Sequence, residues 1–166
     1  GGVDGICSSV RTLWEELFEE GRARHPDWDS VKHGMVGRLA DLSHAFKQLV
    51  PRWVSVVAVW SPEEGGYVYF LQHTLASGQC GAVLGFNRAA RAFRVIANRL
   101  FKLVVTNYFD DFSQLESTAL SDSAQESLEG LFELLGWEVA LEEKKRRPFD
   151  PSFAPLGVLL VLGGML

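Results

Sequence analysis

Apolar residues along this chain change period several times, and each change marks an element. From 8 to 21, Val10, Leu13, Trp14, Leu17 and Phe18 recur at helical spacing, with Glu15, Glu16, Glu19 and Glu20 on the other side and Gly21 as the stop. That pattern predicts an amphipathic surface helix. His25 to Ser30 reads as a loop, Met35 to Leu42 as a strand ending in Asp41, and His44 to Leu49 as a helical turn before Pro51. Trp53 to Trp60 and Tyr67 to His73 are β-rich runs on either side of Ser-Pro-Glu-Glu-Gly-Gly, a hairpin by composition.

Gly78 and Gly81 introduce the longest helical pattern, about Ala82 to Lys102. At 100° per residue, Phe86, Phe93, Ala97 and Leu100 share one face, and Arg88, Arg91, Arg99 and Lys102 share the opposite one. Leu103 to Phe109 is a strand-like run closed by Asp110-Asp111, and Phe112 opens another run, so the pair belongs at the tip of a hairpin. Ser123-Ala-Gln-Glu126 predicts a capping box and Gly136 a helix stop. Trp137 to Leu141 reads as a strand, Glu142 to Arg147 as a charged turn, and Phe153 to Leu162 as a last β-prone run.

The order of these elements predicts an α+β fold: a split β-α-β arrangement with an antiparallel, ferredoxin-like sheet and helices gathered on one face. Such a sheet lays the Asp41 strand beside the Asp110 hairpin. Adjacent carboxylates repel, by roughly 4 kcal/mol at about 4 Å and an effective dielectric of 20. Held rigidly, they suit a hard divalent cation, which prefers oxygen ligands. Alone, Asp110-Asp111 reads as a polar turn. With Asp41 alongside, it reads as an acidic metal-binding cluster.

At 166 residues, 47% hydrophobic and 22% charged, the chain has the length of one domain with an ordinary globular composition. Its net charge of −5 removes any global basic signal for nucleic acid, so such binding would need a local patch. Cys7 and Cys80, the two cysteines, have neither metal-ligand spacing nor a disulfide framework, and a reducing compartment, cytoplasm or nucleus, is expected. No signal peptide is visible, and the apolar run at the end falls short of the ~20 residues of a membrane span. Both ends read as cut, which gives the expectation of a fragment. His33, His44 and His73 have no ligand spacing and no paired nucleophile.

Five segments carry a resemblance. Arg38-Leu-Ala-Asp41-Leu-Ser-His-Ala45-Phe46-Lys-Gln-Leu49 looks like the first catalytic segment of reverse transcriptases, an aspartate followed by an Ala-Phe pair. Leu75-Ala-Ser-Gly78 with Phe86-Asn-Arg88 resembles the glycine segment and helix that cover the incoming nucleotide. Tyr108-Phe109-Asp110-Asp111 matches the Tyr-x-Asp-Asp box. Leu135-Gly-Trp137 through Lys144 or Lys145 is similar to the lysine-bearing segment, and Phe153-Ala-Pro-Leu156-Gly157 to the Leu-Gly primer grip. The likeness runs from about 33 to 160 in the family's order, and is nearest to tyrosine-recombinase retrotransposons of the DIRS and Ngaro type. Ala76-Ser77 departs from the family, which has Pro and an aromatic or Gln before this glycine.

The resemblance implies an RNA-directed DNA polymerase palm over 33–142, partial fingers over 1–32, and a truncated lysine turn and primer-grip hairpin over 143–166. It implies two Mg²⁺ ions, replaceable by Mn²⁺, on Asp41, Asp110 and Asp111. Ala45, Phe46, Gly78, Tyr108, Lys144 and Lys145 would meet the deoxynucleoside triphosphate. Leu156 and Gly157 would meet the template-primer, with Arg88, Arg91, Arg99 and Lys102 on its phosphates. The rest of a retroelement polyprotein is the implied partner. Each assignment has a plainer counterpart: an N-cap for Asp41, core packing for Phe46, a turn for Gly78, a solvated charge run for the lysines and arginines. Three other readings stand beside the polymerase: a decayed palm that binds nucleic acid or protein, a small metal-dependent hydrolase, and a structural domain with a simple Asp-Asp turn.

Overall fold

The computed structural model describes residues 3–16, 23, 34–50, 55–76, 79–140 and 148–162. The expectations for Gly21, 25–30, Gly78, Lys144 and Lys145 lie outside them. The chain divides into two compact units, residues 1–43 with 90–166, and residues 44–89. The architecture is α+β with antiparallel sheets, and the α-helices that lie wholly among the described residues are α1 (Val3–Trp14), α2 (Cys80–Leu100) and α3 (Ser121–Leu134). The strands are β1 (Met35–Asp41), β2 (Ser55–Ser61), β3 (Gly66–Gln72), β4 (Val104–Tyr108), β5 (Asp111–Ser117), β6 (Ser152–Phe153) and β7 (Leu160–Val161).

The first unit is built on a three-stranded sheet in the order β1-β5-β4. The free edge of β1 is met twice more, by bridges from Gly37 to Asp150 and from Leu42 to Val139. The predicted strand at 137–141 is thus a single bridge in the described residues, held by Ser43 N–H to the Glu138 carbonyl and Ala140 N–H to the Asp41 carbonyl, both 2.9 Å. The edge of β4 is covered differently. The Asn98 side-chain amide donates to the Val105 carbonyl at 3.1 Å and accepts from the Val105 N–H at 3.2 Å, completing a ladder that β4 would otherwise leave open.

Both faces of this sheet carry apolar side chains, so both need cover. On one face Phe112 meets Phe93 and Phe132, each with ring centroids 5.2 Å away and edge to face, while Phe93 and Phe132 stack at 4.1 Å. The C-terminal half of α2 and α3 supply that layer. On the other face Met35 and Leu115 pack with Ile6, Val10 and Leu13 of α1 and with Phe153 and Leu162. The expected gathering of helices on one face is therefore corrected: α1 lies on the opposite face, because Met35, Leu115, Val104 and Leu39 there form a second apolar surface. The helix also begins earlier than its pattern predicts, at Val3.

Two helix ends differ from expectation as well. Leu100 is 74% exposed, whereas Phe86, Phe93 and Ala97 are buried. α2 stops at Leu100 and the chain turns through Lys102 at φ 57°, so Leu103 rather than Leu100 enters the core. The capping box is not formed: a 3₁₀ turn at Thr118–Leu120 starts α3 early, Ser123 lies inside the helix, and the Ser121 hydroxyl donates to the Thr118 carbonyl at 2.9 Å. Gly136 does end the helix. Its φ of 73° allows Gly136 N–H to reach the Glu133 carbonyl and Trp137 N–H the Phe132 carbonyl, a Schellman closure.

In the second unit β2 and β3 pair from Ser55↔Gln72 to Ser61↔Gly66, with Gly65 at φ 59° in the connecting turn. The predicted helical turn forms as a 3₁₀ turn at Ala45–Gln48, and Leu75 N–H donates to the Leu49 carbonyl at 3.1 Å. Ala45, Leu75, Ala82 and Phe86 are buried there. Among the described residues no helix is long and apolar enough to cross a membrane.

Candidate active site

The β4–β5 hairpin turns in two residues, Phe109 and Asp110, between the paired Tyr108 and Asp111. Phe109 takes φ 51°, the positive value that tight two-residue hairpins need at their first turn position, and one that glycine adopts at least cost. A phenylalanine there is strained, by about 1–2 kcal/mol. The Asn107 amide donates to the Phe109 carbonyl at 3.3 Å, and the Tyr108 and Phe109 rings meet edge to face at 4.7 Å.

Across the sheet, β1 and β5 pair so that Asp41 lies directly opposite Asp111. Opposed residues of an antiparallel ladder have Cα atoms about 4.5–5.5 Å apart and side chains on the same face. Two of the three sequence-predicted carboxylates are thus cross-strand neighbours, and Asp110 is the next residue along the hairpin. Asp41 and Asp110 are half-buried and Asp111 is exposed. The Asp41 backbone is held on its other side by the bond from Ala140 N–H. As the side chains stand, no three His, Cys, Asp or Glu residues among those described form a metal-holding group. The donor set nonetheless suits a hard divalent cation, since an opposed carboxylate pair and its neighbour offer only oxygen.

Alternation along the strands puts Tyr108, Thr106 and Ser113 on the same face as Asp41 and Asp111. A small cleft there is lined by Ile6, Thr106, Asn107, Tyr108, Asp111, Ser113 and Leu156. Leu156, at φ 53° and ψ 31°, and Gly157, at φ 77°, form a sharp turn between β6 and β7. The structure therefore brings Leu156 to the Tyr108–Asp111 hairpin. Ala45 and Phe46 belong to the unit of residues 44–89, where Ala45 is buried and Phe46 packs its ring 4.7 Å from Phe86. That is an ordinary core contact. Arg88, Arg91, Arg99 and Lys102 are all exposed, and Lys102 lies beyond the end of α2 rather than on it.

Sequence reasoning missed a buried polar group behind the carboxylates. Arg38 is 1% exposed and Gln114 is fully buried, and they are cross-strand partners. The Arg38 Nε–H donates to Gln114 Oε1 at 2.8 Å, and Arg38 Nη1 pairs with Glu129 Oε1 of α3 at 2.9 Å. The guanidinium also lies 5.5 Å from the Phe149 ring centroid. An arginine inside the otherwise apolar run Met35 to Ala40 was the available signal. No protein-family model matches this chain, and no curated protein matches it.

Proposed function

We propose that this chain carries the palm of an RNA-directed DNA polymerase of a retroelement, transferring nucleotides to a primer 3′-hydroxyl. The observation that carries the reading is the ladder register, with Asp41 opposite Asp111 and Asp110 at the adjoining turn. The strand order supports it too: the Val139 bridge, β1, β5 and β4 follow one another as a split β-α-β sheet requires.

In this reading Asp41 and Asp110 hold the metal, with Asp111 beside them. Two Mg²⁺ ions, when bound, would activate the attacking hydroxyl and neutralise charge at the leaving pyrophosphate. The chain's own part is positioning: β1 and β5 set the carboxylate spacing, and the left-handed Phe109 aims the turn. Tyr108 and Leu156 border the small cleft beside Asp111, and this reading puts the primer end, with Gly157, on that side of the sheet.

Mg²⁺-dependent extension of a DNA primer on an RNA template, by the chain with its natural flanking sequence, tests the proposal. Extension that Asp110→Asn reduces by orders of magnitude supports it. Extension retained in Asp110→Asn refutes the assignment. A folded wild type that never extends a primer favours the decayed palm, which the Ala76-Ser77 departure from the family also favours.

A further inference from the structure

We infer that Arg38, Gln114 and Glu129 are positioning residues: their buried network sets the β1–β5 register and through it the spacing of the Asp41 and Asp111 carboxylates. The inference rests on the reading of Asp41, Asp110 and Asp111 as one metal-binding cluster. Arg38 precedes Asp41 by three residues and Gln114 follows Asp111 by three, so both lie on the opposite face of the sheet from the carboxylates. They sit opposite each other in the ladder, as Asp41 and Asp111 do.

Apolar patterning alone does not protect this register. A slip of one residue would send every side chain to the wrong face, but a slip of two keeps each on its own face. Val36 and Ala40 would still point inward. Yet Asp41 would move about 7 Å along the strand from Asp111. What a two-residue slip breaks is the 2.8 Å bond between Arg38 and Gln114.

The network extends into α3, so the register is referenced to the helix layer. The Gln114 amide donates to the Ala124 carbonyl at 2.8 Å, and Glu129 receives both Arg38 at 2.9 Å and Gln125 at 3.0 Å. Phe132 of the same helix packs on Phe112 of β5. β5 and α3 are thus joined by rings and an amide, and Arg38 fastens β1 to both. Since Arg38 and Gln114 are both buried, these bonds act where water does not compete.

The test is Mn²⁺ binding, followed by electron paramagnetic resonance, alongside circular dichroism for folding. Gln114→Met removes the link to Arg38 while keeping bulk, and Gln114→Glu restores an acceptor for the Arg38 Nε–H. Gln114→Met is expected to weaken Mn²⁺ binding at least five-fold in a folded protein, with Gln114→Glu closer to wild type. A folded Gln114→Met with wild-type Mn²⁺ affinity overturns the inference and leaves the metal site intact. Wild-type Mn²⁺ binding indifferent to Asp41→Asn overturns the metal reading itself. Should Gln114→Met not fold, Glu129→Gln is measured in the same way: weaker binding supports the network and unchanged binding overturns it.

Discussion

Asp41 and Asp111 form the last rung of the β1–β5 ladder, like charges on opposed residues at the end of a sheet. Opposed like charges destabilise an antiparallel pair. A divalent cation that binds the folded pair should therefore stabilise the protein by mass action. At a metal concentration 100 times its dissociation constant the gain is about 2.7 kcal/mol. Thermal melts with and without Mg²⁺ are expected to show the shift in wild type and to lose it in Asp41→Asn. An equal shift in both proteins would detach the metal from this pair.

Glu129→Leu takes the Glu129 carboxylate away from the buried Arg38 guanidinium. Breaking a buried ion pair from one side costs about 3–5 kcal/mol, and Glu129, 22% exposed, puts the expected loss near the lower end. Adding Arg38→Met should recover part of it, because a paired apolar replacement removes the buried charge as well. Urea denaturation of both variants measures the difference, and a double variant no better than Glu129→Leu contradicts it.

Gly37 has no room for a side chain. A Cβ there would collide with the Phe153 ring, while Gly37 N–H and carbonyl bridge to Asp150 at 2.9 and 3.0 Å. Gly37→Ala should cost about 1–3 kcal/mol through overpacking. Gly37→Ala with Phe153→Leu should regain part of that in chemical denaturation, since the smaller side chain clears the space.

At the hairpin tip, Phe109→Val should lose about 1–2 kcal/mol, because a β-branched residue tolerates positive φ poorly. Phe109→Gly relieves the strain but gives up the ring contact with Tyr108, about 0.5–1.5 kcal/mol, and should remain near wild type. Melting temperatures that rank Val above Gly would contradict a left-handed turn here.

Much of the sheet was legible because its strands announce themselves. Met35 to Asp41 and the runs around Asp110-Asp111 have the composition and punctuation of strands, and their order predicts the adjacency that the ladder displays. The register itself was not legible, since it depends on side chains that the apolar pattern does not distinguish. Arg38 and Gln114 read as unremarkable polar residues until their cross-strand bond is seen. The side of the sheet taken by α1 was likewise hidden. Val10 and Leu13 announce an apolar stripe, but nothing local says which apolar surface will receive it. The Ser123 capping box failed because the preceding 3₁₀ turn starts the helix sooner, a tertiary choice that overrides a local motif.

Asp41 ends a strand that is held on both edges, by the β5 ladder on one side and by the bond from Ala140 N–H on the other. Such a residue works as a fixed anvil. Asp110 occupies a two-residue bend instead, so whatever adjustment a cation demands falls to that one joint. Coordination in this protein would then be tuned at a single hinge, and the shape of that hinge would govern how tightly an ion is held.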